Sequence, residues 1–297
     1  MEATSDNVGF ASANHDTLIR RILDLTFQTI ALLVLAIALG SLALLVSDVI
    51  RDGGARLNWQ FLTSLASRKP EEAGIYHALA GSIWVILLTG ALAMPLGVAA
   101  AVYLEEYGTR SRAARFIEIN IANLAAVPSI IYGLLGLGVF VRVMGMGRSV
   151  MAGACTLALL ALPVVILSTR EALRTVPSTI REGSYALGAT KWQTIWHQVL
   201  PMAMPGVLTG LILALSRSIG ETAPLITIGA LTYVPFLPEN IWSPFTVLPI
   251  QIFAWVSRPQ AAFAQNAAAG IIVLLALLLA MNATAIVLRD RLQKKLS

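Results

Sequence analysis

Charge is scarce in this chain: 12% of its 297 residues are Asp, Glu, Lys or Arg, where a soluble globular domain carries about 25%. That excludes an ordinary soluble enzyme. Cysteine is scarcer still, and the single thiol, Cys155, lies inside an apolar run. A disulfide framework and a cysteine-based zinc site are both excluded. The three histidines, His15, His77 and His197, fall in loops or at the ends of apolar runs, so no intramembrane Ser-His dyad or metal relay can be assembled from them. No G-x-x-x-x-G-K-[ST] segment occurs, so phosphates of a nucleotide cannot be cradled by the P-loop route. The net charge of +5 and pI near 9.7 would suit nucleic acid, but the basic residues flank apolar runs and form no stripe. That pattern fits anionic lipid headgroups, and nucleic acid is set aside as a partner.

What the chain has in excess is apolar sequence, 57% of residues with a mean hydropathy of +0.76. It falls in runs near 22–46, 79–103, 116–141, 151–169, 206–231 and 266–288. Each has about the 20 residues needed to cross a hydrocarbon core of about 30 Å. A lipid-exposed strand would leave backbone groups without partners, so the runs are expected to be helices, giving an all-α membrane protein with six transmembrane helices. The first 21 residues are polar, and the following run exceeds the h-region of a signal peptide, so it is read as a retained first helix. The organisation predicted is a polar N-terminal segment 1–21, a six-helix domain 22–288 and a basic tail 289–297. With the N-terminus inside, cytoplasmic segments hold thirteen Lys and Arg and outer loops seven, leaving Arg217 within a span. Both termini are therefore expected in the cytoplasm.

Prolines inside spans, at Pro95, Pro128, Pro163 and Pro224, invite kinks. The outer loop 233–265 carries five more, with Phe236, Trp242, Phe245, Phe253 and Trp255 among them, and reads as partly re-entrant or interfacial.

The long cytoplasmic loop 170–205 carries the clearest signals. Pro177 suits a first helical turn, Thr179 and Glu182 have capping-box spacing, and Gly188 offers a left-handed stop, predicting a helix over about 178–187. Thr190 and Gln193 repeat the capping-box spacing ahead of a second short helix expected to end against Pro201.

At this loop the sequence resembles the inner-membrane permease subunits of ABC importers. Glu182-Gly183-Ser184, then Gly188, then Leu200-Pro201 stand at the spacing of that family's cytoplasmic signature, with Gly183-Ser184 in place of an alanine pair and Gln198 where Ile is usual. The runs SRSIGETAPL, YGTRSRAARF and NLAAVPSIIYGLLGLGVF look like the phosphate-specific (PstA-type) branch, over most of residues 80–290. The resemblance implies a type I ABC importer permease fold and a non-catalytic subunit that passes inorganic phosphate inward. It implies that Glu182, Gly188, Leu200 and Pro201 seat on an ATPase. It also implies a second permease of PstC type, an ATPase dimer of PstB type that binds the ATP and Mg, and a periplasmic phosphate-binding protein of PstS type, with no cofactor on this chain.

Arg217 and Glu221 are one helical turn apart in the run 206–231, whose midpoint falls near 218. An Arg at the bilayer centre costs about 2.5 to 3.5 kcal/mol on insertion scales, so this pair is expected to face a polar translocation pathway or to form a structural ion pair. Glu105, Glu106 and Glu118 read as solvated helix termini without chemistry. Two other readings stay open: a permease for another oxyanion or an amino acid, and an ion-coupled secondary transporter, although only one span carries an Arg/Glu pair where paired repeats would be expected.

Overall fold

The computed structural model describes residues 6–108, 111–230 and 233–296. Arg110 of the YGTRSRAARF run and the first five residues of the polar N-terminal segment lie outside the described residues. Every regular element among the described residues is helical. Two units are distinguished, residues 1–52 and 53–297. The first contains most of α1 (Asp6–Gly54), whose apolar side chains from Leu23 to Leu45 stand exposed. It therefore contains the predicted first span but begins as a helix well before it.

The second unit holds the rest. After a short helix α2 (Trp59–Thr63), α3 (Tyr76–Val102) runs into a π-helical turn over Tyr103–Tyr107. Then come α4 (Arg112–Ala126) and α5 (Ser129–Gly136), the latter extended by a π-helical turn Leu137–Val143, and α6 (Val150–Arg174). Next are α7 (Ser178–Ala186), α8 (Lys191–Thr194), a third π-helical turn Ile195–Val199, and α9 (Leu200–Gly220). The chain closes with α10 (Ala223–Ile228), α11 (Leu248–Val256) and α12 (Ala262–Leu296). At 1.5 Å per residue the 25 residues of α6 span about 37 Å, enough to cross a bilayer.

Among the described residues five helices are long and apolar enough to cross, and a sixth crossing exists if the bent pair α4 and α5 is one span. The kink expected at Pro128 within the run 116–141 is present, and it is sharp enough to divide the run into two helices. Val127 and Pro128 are extended, and the two helices meet at 106°. Pro128 forbids the α conformation to the residue before it, which ends α4, and its own missing N–H costs nothing at the start of α5. Pro95 and Pro163 do lie inside helices, whereas Pro224 starts α10.

The bundle centres on α6, which packs against α3 on one side and α9 on the other. Without a hydrophobic force between helices in lipid, close approach depends on small residues. Gly206 and Gly210 of α9 supply it. A Cβ at Gly206 would sit 2.6 Å from that of Ala172, and one at Gly210 would overlap Ser168.

The proline-rich loop contains α11, whose Leu248 and Trp255 are buried among residues of α3 and α12, while Ile250 is buried in a cluster with Val85 of α3 and Leu157 of α6. Its preceding strand-like segment is pinned as well: Ser82 Oγ accepts from Leu248 N at 2.8 Å, and Phe245 fills the space left by Gly153. Phe245 and Trp255 are thus core, while Trp242, Phe236 and Phe253 stay exposed. At the base of α12, Arg56 ties this end together, donating to Asn266 Oδ1 at 2.8 Å and to the carbonyls of Pro70, Glu71 and Ala73.

Candidate functional site

The loop between α6 and α9 is the most distinctive construction in the molecule. α7 covers 178–186 as the sequence suggests, and Gly188 stops it with φ +84°. Only glycine holds that conformation without penalty. The second capping box is present: Thr190 Oγ1 accepts from Gln193 N, and Gln193 Oε1 accepts from Thr190 N. The first is not, because Pro177 is itself the N-cap, in an extended conformation, and Thr179 falls inside the helix with Glu182 left free on the surface. A hydrogen bond of 2.9 Å between the hydroxyls of Ser184 and Thr194 joins α7 to α8. At the tip, Leu187 is 91% exposed beside an exposed Tyr185.

Pro201 does not end the second helix, contrary to expectation. The chain runs from Lys191 to Gly220 as one helix because the π-helical turn, with Leu200 N bonded to Ile195 O, accommodates the ring and the missing donor. Leu200 and Pro201 therefore lie inside a continuous helix where loop passes into span, half-buried, and not at a boundary. Trp192 and Trp196 stack at 5.6 Å on the outside of this turn.

The acidic residues read as inert helix termini are instead the ties that hold this loop. Arg181 of α7 donates Nη2 to Glu106 Oε1 at 2.7 Å and Nε to the same oxygen at 3.1 Å. Its remaining donors go to the carbonyls of Val176 at 2.8 Å and Leu173 at 3.0 Å. Glu106 is buried, its side chain 7% exposed, and Lys191 of α8 bonds its backbone carbonyl while covering the Tyr107 ring at 4.6 Å. Both limbs of the loop are thereby fixed to the π-helical end of α3. Beside them, Arg170, with a side chain only 8% exposed, pairs with Glu105 at 3.3 Å and Glu118 at 2.9 Å, and Arg174 pairs with Glu105 at 3.0 Å. The network joins α3, α4, α6 and α7. Its sequence signal was acidic residues ending one helix and opening the next, opposite arginines spaced i, i+4 at the end of α6.

Arg217 and Glu221 are brought together, Nε to Oε1 at 3.6 Å, but not in mid-helix. The span ends at Gly220, ten residues or so before the expected end, and Glu221 is its extended C-cap. Arg217 therefore occupies the last turn, where the helix dipole favours a cation. Its side chain is 60% exposed against 19% for Glu221. One residue earlier, Ser216 Oγ donates to Asn282 Oδ1 at 2.5 Å and fastens this end of α9 to α12. The structure keeps Arg217 and Glu221 apart from Glu182, Gly188, Leu200 and Pro201, which lie at or near the opposite end of the Lys191–Gly220 helix and in the loop that precedes it.

The described residues thus form a multi-span helical membrane protein with a capped two-helix loop locked to the end of its bundle. The family model of the binding-protein-dependent transport system inner membrane component matches residues 93–297, and the chain belongs to that family. Among curated relatives it is 37% identical over 249 residues to the phosphate transport system permease protein PstA 1 of Mycobacterium tuberculosis, covering 82% of this chain and 80% of that one. It is also 39% identical over 232 residues to the PstA of Mycobacterium leprae, covering 75% and 74%. A probable ABC transporter permease, YqgI of Bacillus subtilis, is 36% identical over 228 residues, covering 76% of each. The fold matches a chain of the MetNI methionine ABC transporter in an inward-facing conformation, with a TM-score of 0.61 at 18% identity over 73% of this chain and 97% of that one. The type I ABC importer permease fold is thus established.

Proposed function

We propose that this chain is the permease subunit of an ATP-driven importer that moves inorganic phosphate from periplasm to cytoplasm, with ATP hydrolysis supplied by a partner. The carrying observation is the agreement of PstA relatives, at 30 to 39% identity over most of the chain, with the locked loop at the bundle's end. The partners would be a second permease of PstC type, an ATPase dimer of PstB type and a binding protein of PstS type. The thirteen-to-seven basic count supports cytoplasmic termini and a cytoplasmic loop 170–205.

In this reading the tip of the loop, Leu187 with Tyr185, is the apolar knob that enters the ATPase, and the free carboxylate of Glu182 addresses it from α7. Gly188 sets the angle between the two limbs. Leu200 and Pro201 carry motion into α9, at whose far end Arg217 and Glu221 meet the anion path. Reconstituting the complex and measuring binding-protein-dependent ATPase with phosphate against sulfate tests the substrate; stimulation by sulfate alone overturns it. Arg217→Gln should abolish phosphate uptake while the subunit still assembles, and Glu221→Gln should impair it. A double Arg217→Gln, Glu221→Gln variant transporting at the wild-type rate would reject the pathway role, since so exposed an ion pair contributes little to structure and its removal should leave assembly intact.

A further inference from the structure

We infer that the cavity of about 460 Å³ between the end of α3, the first turn of α4 and the end of α6 binds a phosphoryl anion, the group that anionic phospholipid headgroups and orthophosphate share, and that its occupant is the headgroup. Four guanidinium groups line it, from Arg112, Arg115, Arg170 and Arg174, with the carboxylates of Glu105 and Glu118. Both carboxylates are already engaged by Arg170 and Arg174. Arg112 and Arg115 are exposed and without a protein partner among the described residues, so two positive charges face the cavity uncompensated. The planar donor fork of Arg matches phosphoryl oxygens. The backbone of α4 contributes little, because Ser111 Oγ already accepts from Ala113 N and Ala114 N. The side chains therefore carry the site.

The headgroup is favoured over the free anion by the rest of α4. This helix leaves the line of α5 by 106° and exposes Phe116, 68% accessible, and Ile119. Arg112 with Phe116, and Arg115 with Ile119, are each one turn apart, so each free guanidinium stands beside an exposed apolar side chain. A basic first turn continued by exposed apolar side chains is the arrangement of a helix entering the membrane through the headgroup region, with charge toward phosphate and apolar groups toward acyl chains. The inference does not depend on which solute the protein transports.

The test is native mass spectrometry of the full chain titrated with phosphatidylglycerol and, separately, with phosphatidylcholine, with and without millimolar orthophosphate. The wild type should retain phosphatidylglycerol selectively, retention should fall with added salt, and orthophosphate should not displace it. At about fivefold per basic residue near an anionic surface, Arg112→Gln, Arg115→Gln should bind about thirtyfold more weakly. Arg112→Lys, Arg115→Lys, which preserves charge, should lose far less. Equal retention of both lipids together with orthophosphate binding that the glutamine pair abolishes would place the free anion in the cavity and overturn the headgroup assignment. Phosphatidylglycerol retention that is insensitive both to salt and to the glutamine pair would overturn the site itself.

Discussion

Arg181 and Glu106 offer a quantitative test of how the loop is held. Arg181→Met removes four hydrogen bonds and strands a carboxylate whose side chain is 7% exposed. Breaking a fully buried pair costs about 3 to 5 kcal/mol. Arg181 is itself one-fifth exposed, and water reaching the site reduces that to about 2 to 3 kcal/mol. If α7 opens locally from the bundle, amide exchange over 178–186 should then accelerate about 30- to 150-fold. The interior of α6 serves as the unchanged control. Glu106→Gln keeps an acceptor and loses only the charge, so about tenfold is expected. Because the two side chains meet each other, the double variant should exchange no faster than Arg181→Met alone. Single effects that add within about 0.5 kcal/mol would show that the pair is not a unit, and the account of the network given above would fail.

The remaining expectations follow from packing and backbone geometry. Nothing lies within 4 Å of a Cβ built at Gly188, so the penalty there is conformational only: Gly188→Val should uncouple ATP hydrolysis from uptake, and Gly188→Asn, which tolerates positive φ, should retain most of it. Full uptake with normal ATPase activity in the valine variant would sink the coupling role of the loop. Gly210→Ala should lower thermal stability by the equivalent of about 1 to 3 kcal/mol through overlap with Ser168, and Ser168→Gly should restore it, as read by a melting assay in detergent. A thiol placed at Lys191 should react with an impermeant reagent only from the cytoplasmic side; labelling from outside would invert the topology.

The crossing helices were readable because twenty apolar residues in a row have few other solutions, and the short helices of the loop because a capping box and a left-handed glycine leave local marks. What escaped depended on contacts between distant residues. Glu105 and Glu106 look like any solvated helix end until the fold brings Arg170, Arg174 and Arg181 from some 65 to 75 positions away. The end of α9 at Gly220 was hidden because Glu221 and Thr222 are followed by another apolar stretch, and hydropathy does not register a change of backbone direction. Pro201 misled for the opposite reason. A single residue taken as a terminator was absorbed by a wider turn that no composition reveals.

Those wider turns have a geometric meaning. A π-helical turn is an α-helix carrying about one residue too many, and the α-helix advances about 100° per residue. The turn at Ile195–Val199 therefore sets the phase between α8 and α9: deleting one residue there would let the helix regularise and swing everything before it, the glycine tip included, by roughly a quarter revolution about the axis. The matching turn at Tyr103–Tyr107 sits at the end of α3, to which both limbs are bound. The direction in which the loop faces is thus set by the extra residue in each of two turns, and losing either would point the loop elsewhere.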